Sequence, residues 1–283
     1  MGEPIQNPAS YRCEWVSHPW QKAVGRDTRN RRIGPGKGLK EGNHVSILGE
    51  ARLRLLSSVS RTFSHATDFR RRLLRWFRCH GRDLPWRRTR DPYRVLVSEF
   101  MLQQTQVSRV ESYYHRFIEQ YPSIESLAAA PAARVRESWA GLGYYRRAAN
   151  LHRLAQEVVR DQEGVLPRDP AELRKLPGVG RYTAGAVASF AFERPTPAVD
   201  TNVTRVIRRA FHPRTRVKAL EQRIWKTAEQ ILPTNGRSAW AFNQAIMELG
   251  ALICTARVAR CGECPVRQAC ATGMKAGKVN GER

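Results

Sequence analysis

The chain has 283 residues, enough for one large domain or two small ones, and its 41% of hydrophobic residues suit a globular protein with a core of its own. Lys and Arg number 49 against 25 Asp and Glu, a formal charge of +24 that no fold requires and that a polyanionic partner explains. No apolar run is long enough to span a bilayer, so a transmembrane helix is excluded, and nucleic acid ranks ahead of an acidic membrane surface as the partner.

Residues 1–65 are basic and lack an apolar period, as in "GRDTRNRRIGPGKGLKEGN". They are predicted to form a disordered extension. The first fifteen residues lack the charged and then apolar order of a secretory leader, so a cytoplasmic, nucleoid-associated location is expected. From about residue 67 the pattern turns helical. "DFRRRLLRWFRCHG" puts Phe69, Leu73, Trp76 and Phe77 on one stripe with arginines opposite. "PYRVLVSEFMLQQTQVSRVESYYHRF" reads as one further helical region. Helices are predicted over about 123–129, 131–139, 146–161, 170–175, 181–192, 201–211, 217–231 and 237–254, punctuated by Pro and Gly. No convincing strand occurs, so the fold class is all-α.

Between two of these helices lies "LPGVG", Leu176 to Gly180. Gly178 and Gly180 can adopt positive φ and leave no Cβ in the way. Backbone N–H groups opening the next helix are then free to hold an anion, for which a DNA phosphate is the natural candidate. By itself the segment also reads as a plain helix–helix turn.

Four of the six cysteines crowd into the spacing Cys254-x6-Cys261-x2-Cys264-x5-Cys270. In a reducing compartment this points to metal rather than disulfides. Four thiolates suit either one zinc or a [4Fe–4S] cube, and the spacing alone does not choose.

Two carboxylates stand out. Glu99, in "LVSEFMLQQTQ", shares a helix face with Val95, Leu102 and Gln106, so it is expected to be half buried with a raised pKa. Asp200, in "PAVDTNVTRVIRRAF", precedes an amphipathic helix and reads first as its N-cap. Two acids on either side of a sugar bond would also serve its cleavage, one protonating the leaving group and the other stabilising the cationic sugar.

"LPGVGRYTAG", "VDTNVTRV" and the four-cysteine loop together resemble the helix-hairpin-helix DNA glycosylases that carry an iron–sulfur cluster. Within that superfamily, "LPWRRTRDPYRVLVSEFMLQQTQV", "GLGYYRRAANLH" and "FNQAIMELGALIC" are similar to the adenine-specific mismatch glycosylases (MutY), over about residues 68–272. The resemblance implies a six-helix barrel module over 92–200 that includes the hairpin. It implies an iron–sulfur module from 66–91 and 201–275, and a tail over 276–283. It tips the metal choice to a [4Fe–4S] cluster on Cys254, Cys261, Cys264 and Cys270. It implies a monomer acting on mismatched double-stranded DNA, with no membrane association.

Residue roles follow from the same likeness. Glu99 corresponds to the acid that protonates adenine N7, and Asp200 to the carboxylate that stabilises the oxocarbenium ion. Tyr182 and Asn202 flank that site. Pro177, Gly178, Val179 and Gly180 correspond to the phosphate-gripping hairpin with its bound monovalent cation. Gln104 and Tyr144 correspond to residues that wedge into the duplex while the base is flipped out, and Arg87 is expected to contact DNA. Endonuclease III-like relatives carry a lysine where this chain has Tyr182. A phenol cannot form a Schiff base, so base removal without an efficient lyase step is expected.

The chain departs from the pattern in two ways. Typical members continue past the cysteines into a Nudix-like domain that reads 8-oxoguanine, which this sequence lacks, and Thr201 stands where glycine is usual. The single-domain format is also similar to thymine glycosylases acting on T·G mismatches. Members of that group read "LRRTT" where this chain reads "LQQTQV", which favours adenine. A protein that binds DNA through the same fold without catalysis is the third reading, and both acids argue against it.

Overall fold

The structure is a computed structural model that describes residues 65–215 and 219–278. The extension expected over 1–65 falls almost wholly outside the described residues. Helix α1 covers 65–80, and a 3-10 turn Pro85–Arg87 follows it. Next come α2 (Pro92–Leu102), α3 (Val107–Gln120), α4 (Ile124–Ala129), α5 (Ala132–Ser138), α6 (Arg146–Gln162), α7 (Pro170–Leu173) and α8 (Arg181–Phe190). An extended stretch leads to α9 (Thr201–Phe211), α10 (Leu220–Ile231), α11 (Gly236–Leu252) and α12 (Ala271–Lys278). Among the described residues there is no strand, only a single bridge between Cys254 and Ala259. The all-α expectation holds.

The helices start where short polar side chains can accept orphan amides. Asp91, Ser123, Asp169, Asp200 and Asn235 each cap the helix that follows. The apolar faces of these helices gather into two cores. One draws on α2 to α8, with Phe100, Phe117, Leu127, Trp139, Leu151 and Leu173 at its centre. The other joins the Phe69, Leu73 and Phe77 stripe of α1 to α9, α10 and α11. Trp76, expected on that stripe, is only partly buried and sits at its edge.

Two local expectations change. The region 92–117 is two helices rather than one, broken at 103–106 by Gln104 in the left-handed conformation, φ 58°. In the hairpin only Gly178 has positive φ, 77°. Gly180 is the extended N-cap of α8, φ −85°, with open space around it.

Candidate active site

Glu99 lies on α2 and Tyr182 in the first turn of α8, and these two helices pack directly on each other. The close fit depends on Gly178. A Cβ there would meet Asn150 at 2.8 Å and the Phe100 ring at 3.0 Å. The bare hairpin thus sits against the residue after Glu99. The Tyr182 hydroxyl donates to Glu99 Oε2 at 2.7 Å. Glu99 is buried, 3% exposed, rather than half buried as its helix face suggested. Burial is the largest influence on its carboxyl. The Asp200 charge pushes the same way, the Tyr182 hydrogen bond and Arg87 oppose, and the pKa rises to about 7. Burial, Glu99 and Asp200 push the Tyr182 phenol well above its ordinary value, so it remains a donor.

Asp200 ends the extended stretch that links α8 to α9. Asn243 of α11 pins that stretch, accepting from Ala198 N at 3.3 Å and donating to Thr196 O and Ser189 Oγ, each at 2.9 Å. Asp200 caps α9 through Oδ1, which accepts from Val203 N at 2.7 Å. Its Oδ2 accepts from Asn202 Nδ2 at 2.8 Å. Burial raises the Asp200 pKa, while the hydrogen bonds from Val203 and Asn202 and the charge of Arg205 resist that rise. The N-cap role and a role in chemistry are therefore compatible: one oxygen serves the helix and the other points to the side chain at 202.

Glu99, Tyr182, Asp200 and Asn202 line one cavity of about 980 Å3. Gln104 and Arg87 line it too, but Tyr144 and the hairpin residues do not. Arg87 is 6% exposed. It donates to Gln244 Oε1 at 2.8 Å and Glu248 Oε2 at 2.9 Å. It therefore faces the cavity wall rather than a surface open to phosphates. Gln104 is exposed, and Tyr144 is 59% exposed with φ 50°.

Sequence reasoning missed three polar residues here. Glu248 is 1% exposed and binds Arg82 as well as Arg87, with Arg82 Nε at 2.8 Å and Nη2 at 2.9 Å. Arg205 donates to Asn202 Oδ1, to Gly250 O and to Cys254 O, each at 2.7 Å. It thus ties the Asp200–Asn202 pair to the backbone of the first cysteine. Arg147 reaches the loop that carries Gln104. Nothing in the sequence separates these from the many solvated Arg and Glu; a charge at an otherwise apolar helix position was the one available signal.

The four cysteines surround one small pocket walled by Val206, Leu249, Ile253 and Val266. Burial is the main influence pushing the Cys264 thiol up to about 12, and the neighbouring three cysteines add to it. Thiols so placed stay protonated unless a cationic centre takes the charge, which fits a ligand set. Four thiols around one pocket are a donor set that either a single zinc or an iron–sulfur cluster accepts. Arg209 supplies a donor at 3.4 Å from Cys254 Sγ, and Gly273 N one at 3.4 Å from Cys270 Sγ.

Residues 97–230 match the family model of the HhH-GPD superfamily base excision DNA repair protein. An adenine DNA glycosylase of Mycolicibacterium smegmatis is 47% identical over 195 residues, covering 69% of this chain and 66% of that one. A thermostable thymine-DNA glycosylase structure has TM-score 0.70 and 31% identity, covering 76% of this chain and 99% of that one. An endonuclease III trapped as a covalent intermediate with DNA has TM-score 0.62 and 30% identity, covering 72% of this chain and 93% of that one. The chain spans between 40% and 66% of the length of the adenine DNA glycosylases of M. smegmatis, Rattus norvegicus and Homo sapiens that it matches. With the two acids in one cavity beside the glycine hairpin, and with these relatives, the chain belongs to the HhH-GPD superfamily of base excision DNA repair proteins.

Proposed function

We propose that the chain is a DNA N-glycosylase that removes adenine mispaired with guanine or 8-oxoguanine. The observation that carries this reading is Glu99, protonatable near neutral pH, in the same cavity as the hydrogen-bonded Asp200. With an extrahelical adenosine in that cavity, Glu99 gives its proton to adenine N7. The electrons of the C1′–N9 bond then leave with a neutral purine rather than a poor anionic leaving group. Asp200, held by Val203 N and Asn202, stabilises the cationic sugar from its other side, and water adds to C1′. Tyr182 holds the Glu99 carboxyl in place. It offers no amine, so the abasic product stays unnicked. The adenine DNA glycosylases among the relatives support the choice of base.

In this reading Cys254, Cys261, Cys264 and Cys270 hold a [4Fe–4S] cluster. That cluster supplies a structural staple for the segment after α11, whose arginines are then presented to phosphates. The residues around the first core form the barrel module, and those around the second the cluster module. Pro177 to Gly180 grip a phosphate with a monovalent cation. Gln104 and Tyr144 enter the duplex, and the working unit is a monomer on mismatched duplex DNA.

Single-turnover assays on A·G, A·8-oxoguanine and T·G duplexes test the reading. Adenine release is expected. Release of thymine alone would transfer the chain to the other specificity, whose representative shares its fold across 99% of its length. No release from any duplex would leave a binding protein.

A further inference from the structure

Arg147 opens α6 and is 7% exposed, yet all of its hydrogen-bond acceptors are neutral oxygens. Its Nη1 donates to Phe100 O at 3.0 Å and Met101 O at 2.7 Å, in the last turn of α2, and to Gln103 O. Its Nη2 donates to Thr105 Oγ1 at 3.0 Å, Gly143 O at 3.1 Å and Leu142 O at 3.5 Å. The guanidinium also lies 5.6 Å from the centre of the buried Trp139 ring and 5.4 Å from that of the exposed Tyr144 ring.

One cation therefore joins two loops far apart in sequence. Residues 103–106 carry Gln104, and residues 141–145 carry Tyr144. Both of these are non-glycine residues held in the left-handed region, φ 58° and 50°. Such conformations persist only where surrounding contacts over-determine them, and they concentrate at working sites. Capping the end of α2 would not by itself call for a buried cation without a carboxylate, which is costly to desolvate. A planar fork that reaches both loops at once does call for arginine, because lysine offers its donors from a single point.

We infer that Arg147 is a positioning residue that locks the Gln104 and Tyr144 loops into one rigid wedge, so that the two side chains enter the duplex together. This rests on the glycosylase reading above. The strain at each tip is held before DNA arrives, and extrusion of the base does not wait for two loops to order separately.

The test places 2-aminopurine beside the mismatched adenine, where it brightens as its neighbour leaves the stack, and follows the flipping rate by stopped flow. Gln104→Ala, Tyr144→Ala and the double variant are measured in the parent and in Arg147→Lys. In the parent, the two losses are expected to overlap, the double variant lying within about twofold of the worse single. In Arg147→Lys, flipping is expected to slow at least tenfold and the two losses to multiply. A merely structural role would slow every variant alike and leave the overlap intact. Where Arg147→Lys does not fold, Thr105→Ala removes one acceptor on the Gln104 side and is expected to abolish the same overlap. A parent that flips the base, with losses that still overlap in the altered background, overturns the inference alone. A parent that leaves the base stacked in every mismatched duplex overturns the functional reading and the inference together.

Discussion

Glu99 and Glu248 are buried glutamates on the wall of one cavity, and their partners send them in opposite directions. Burial is the largest influence on both. Glu248 has Arg82 and Arg87, whose hydrogen bonds and charges together outweigh burial and hold it at about 2. Glu99 has one neutral phenol and rises to about 7. One is a fixed anion that orients arginines, and the other is a proton store. Excision is therefore expected to fall about tenfold per pH unit above about 7, as Glu99 loses its proton. Stability should follow the same group. A folded pKa above the unfolded one adds stability that is complete below about 4.5 and lost as pH rises through about 7. Glu99→Gln keeps the neutral shape, so it should be inactive yet more stable than the parent at pH 9, by up to about 3 kcal/mol. Urea unfolding at pH 5 and pH 9 checks this; an equal difference at both would show that Glu99 does not titrate in that window. Tyr182→Lys tests the neighbouring position. An amine 83 residues along from Glu99 but in contact with its carboxyl should attack C1′ and yield strand nicks at the abasic site. A variant that excises adenine yet leaves the strand intact would refute that role for residue 182.

The crossing of α9 over α11 sets where Asp200 and Asn202 stand. Gly250 permits it: a Cβ there would meet Asn202 Cβ at 2.6 Å and Asn202 O at 3.0 Å. Gly250→Ala should push the two helices apart, with a cost of about 1–3 kcal/mol from overpacking. Because Arg205 bonds both Gly250 O and Asn202, the shift should reach Asp200, and excision should fall at least tenfold. Thermal melting and single-turnover rates report the two effects separately, and an unchanged rate in a destabilised protein would uncouple the crossing from the site. Such crossings were not legible in the sequence. Helix positions were, because apolar spacing and caps such as Asp91 and Asn235 act locally. The break between α2 and α3 was not, since "LQQTQV" holds neither Pro nor Gly. Arg147 meets it from outside: its guanidinium takes carbonyls at 100, 101 and 103 that a continuous helix would use internally. The two acids and four cysteines could be read because their spacing and order carry the likeness. Arg147, Arg205 and Glu248 could not, because their roles arise from contacts with residues 42 to 166 positions away.

At the scale of the molecule, each acid belongs to a different core. Glu99 rides on α2 of the first, and Asp200 heads α9 of the second, so the cavity is where the two cores meet. Glu99 feels both sides: Tyr182 and Arg87 from its own, and the charge of Asp200 from the other. In the proposed reaction a flipped nucleoside enters against this wall while the duplex lies outside, where the net charge of +24 acts. Some of the exposed arginine is already paired, as in Arg88 with Asp83 at 2.5 Å and Arg160 with Asp161 at 2.7 Å. Surface pairs of this kind contribute little, and they exchange readily for phosphate. Duplex affinity should then be governed by counterion release rather than by the cavity. About four phosphate contacts, at about −0.9 each, give a log–log salt slope near −3.6 and roughly a 100-fold loss between 50 and 200 mM salt. Glu99→Gln should keep that slope, because the carboxyl lies inside the cavity and touches no phosphate. Fluorescence anisotropy with this inactive variant measures it without turnover. A flat response would mean that shape and base contacts, not charge, hold the duplex, and the excess of arginine would then need another partner.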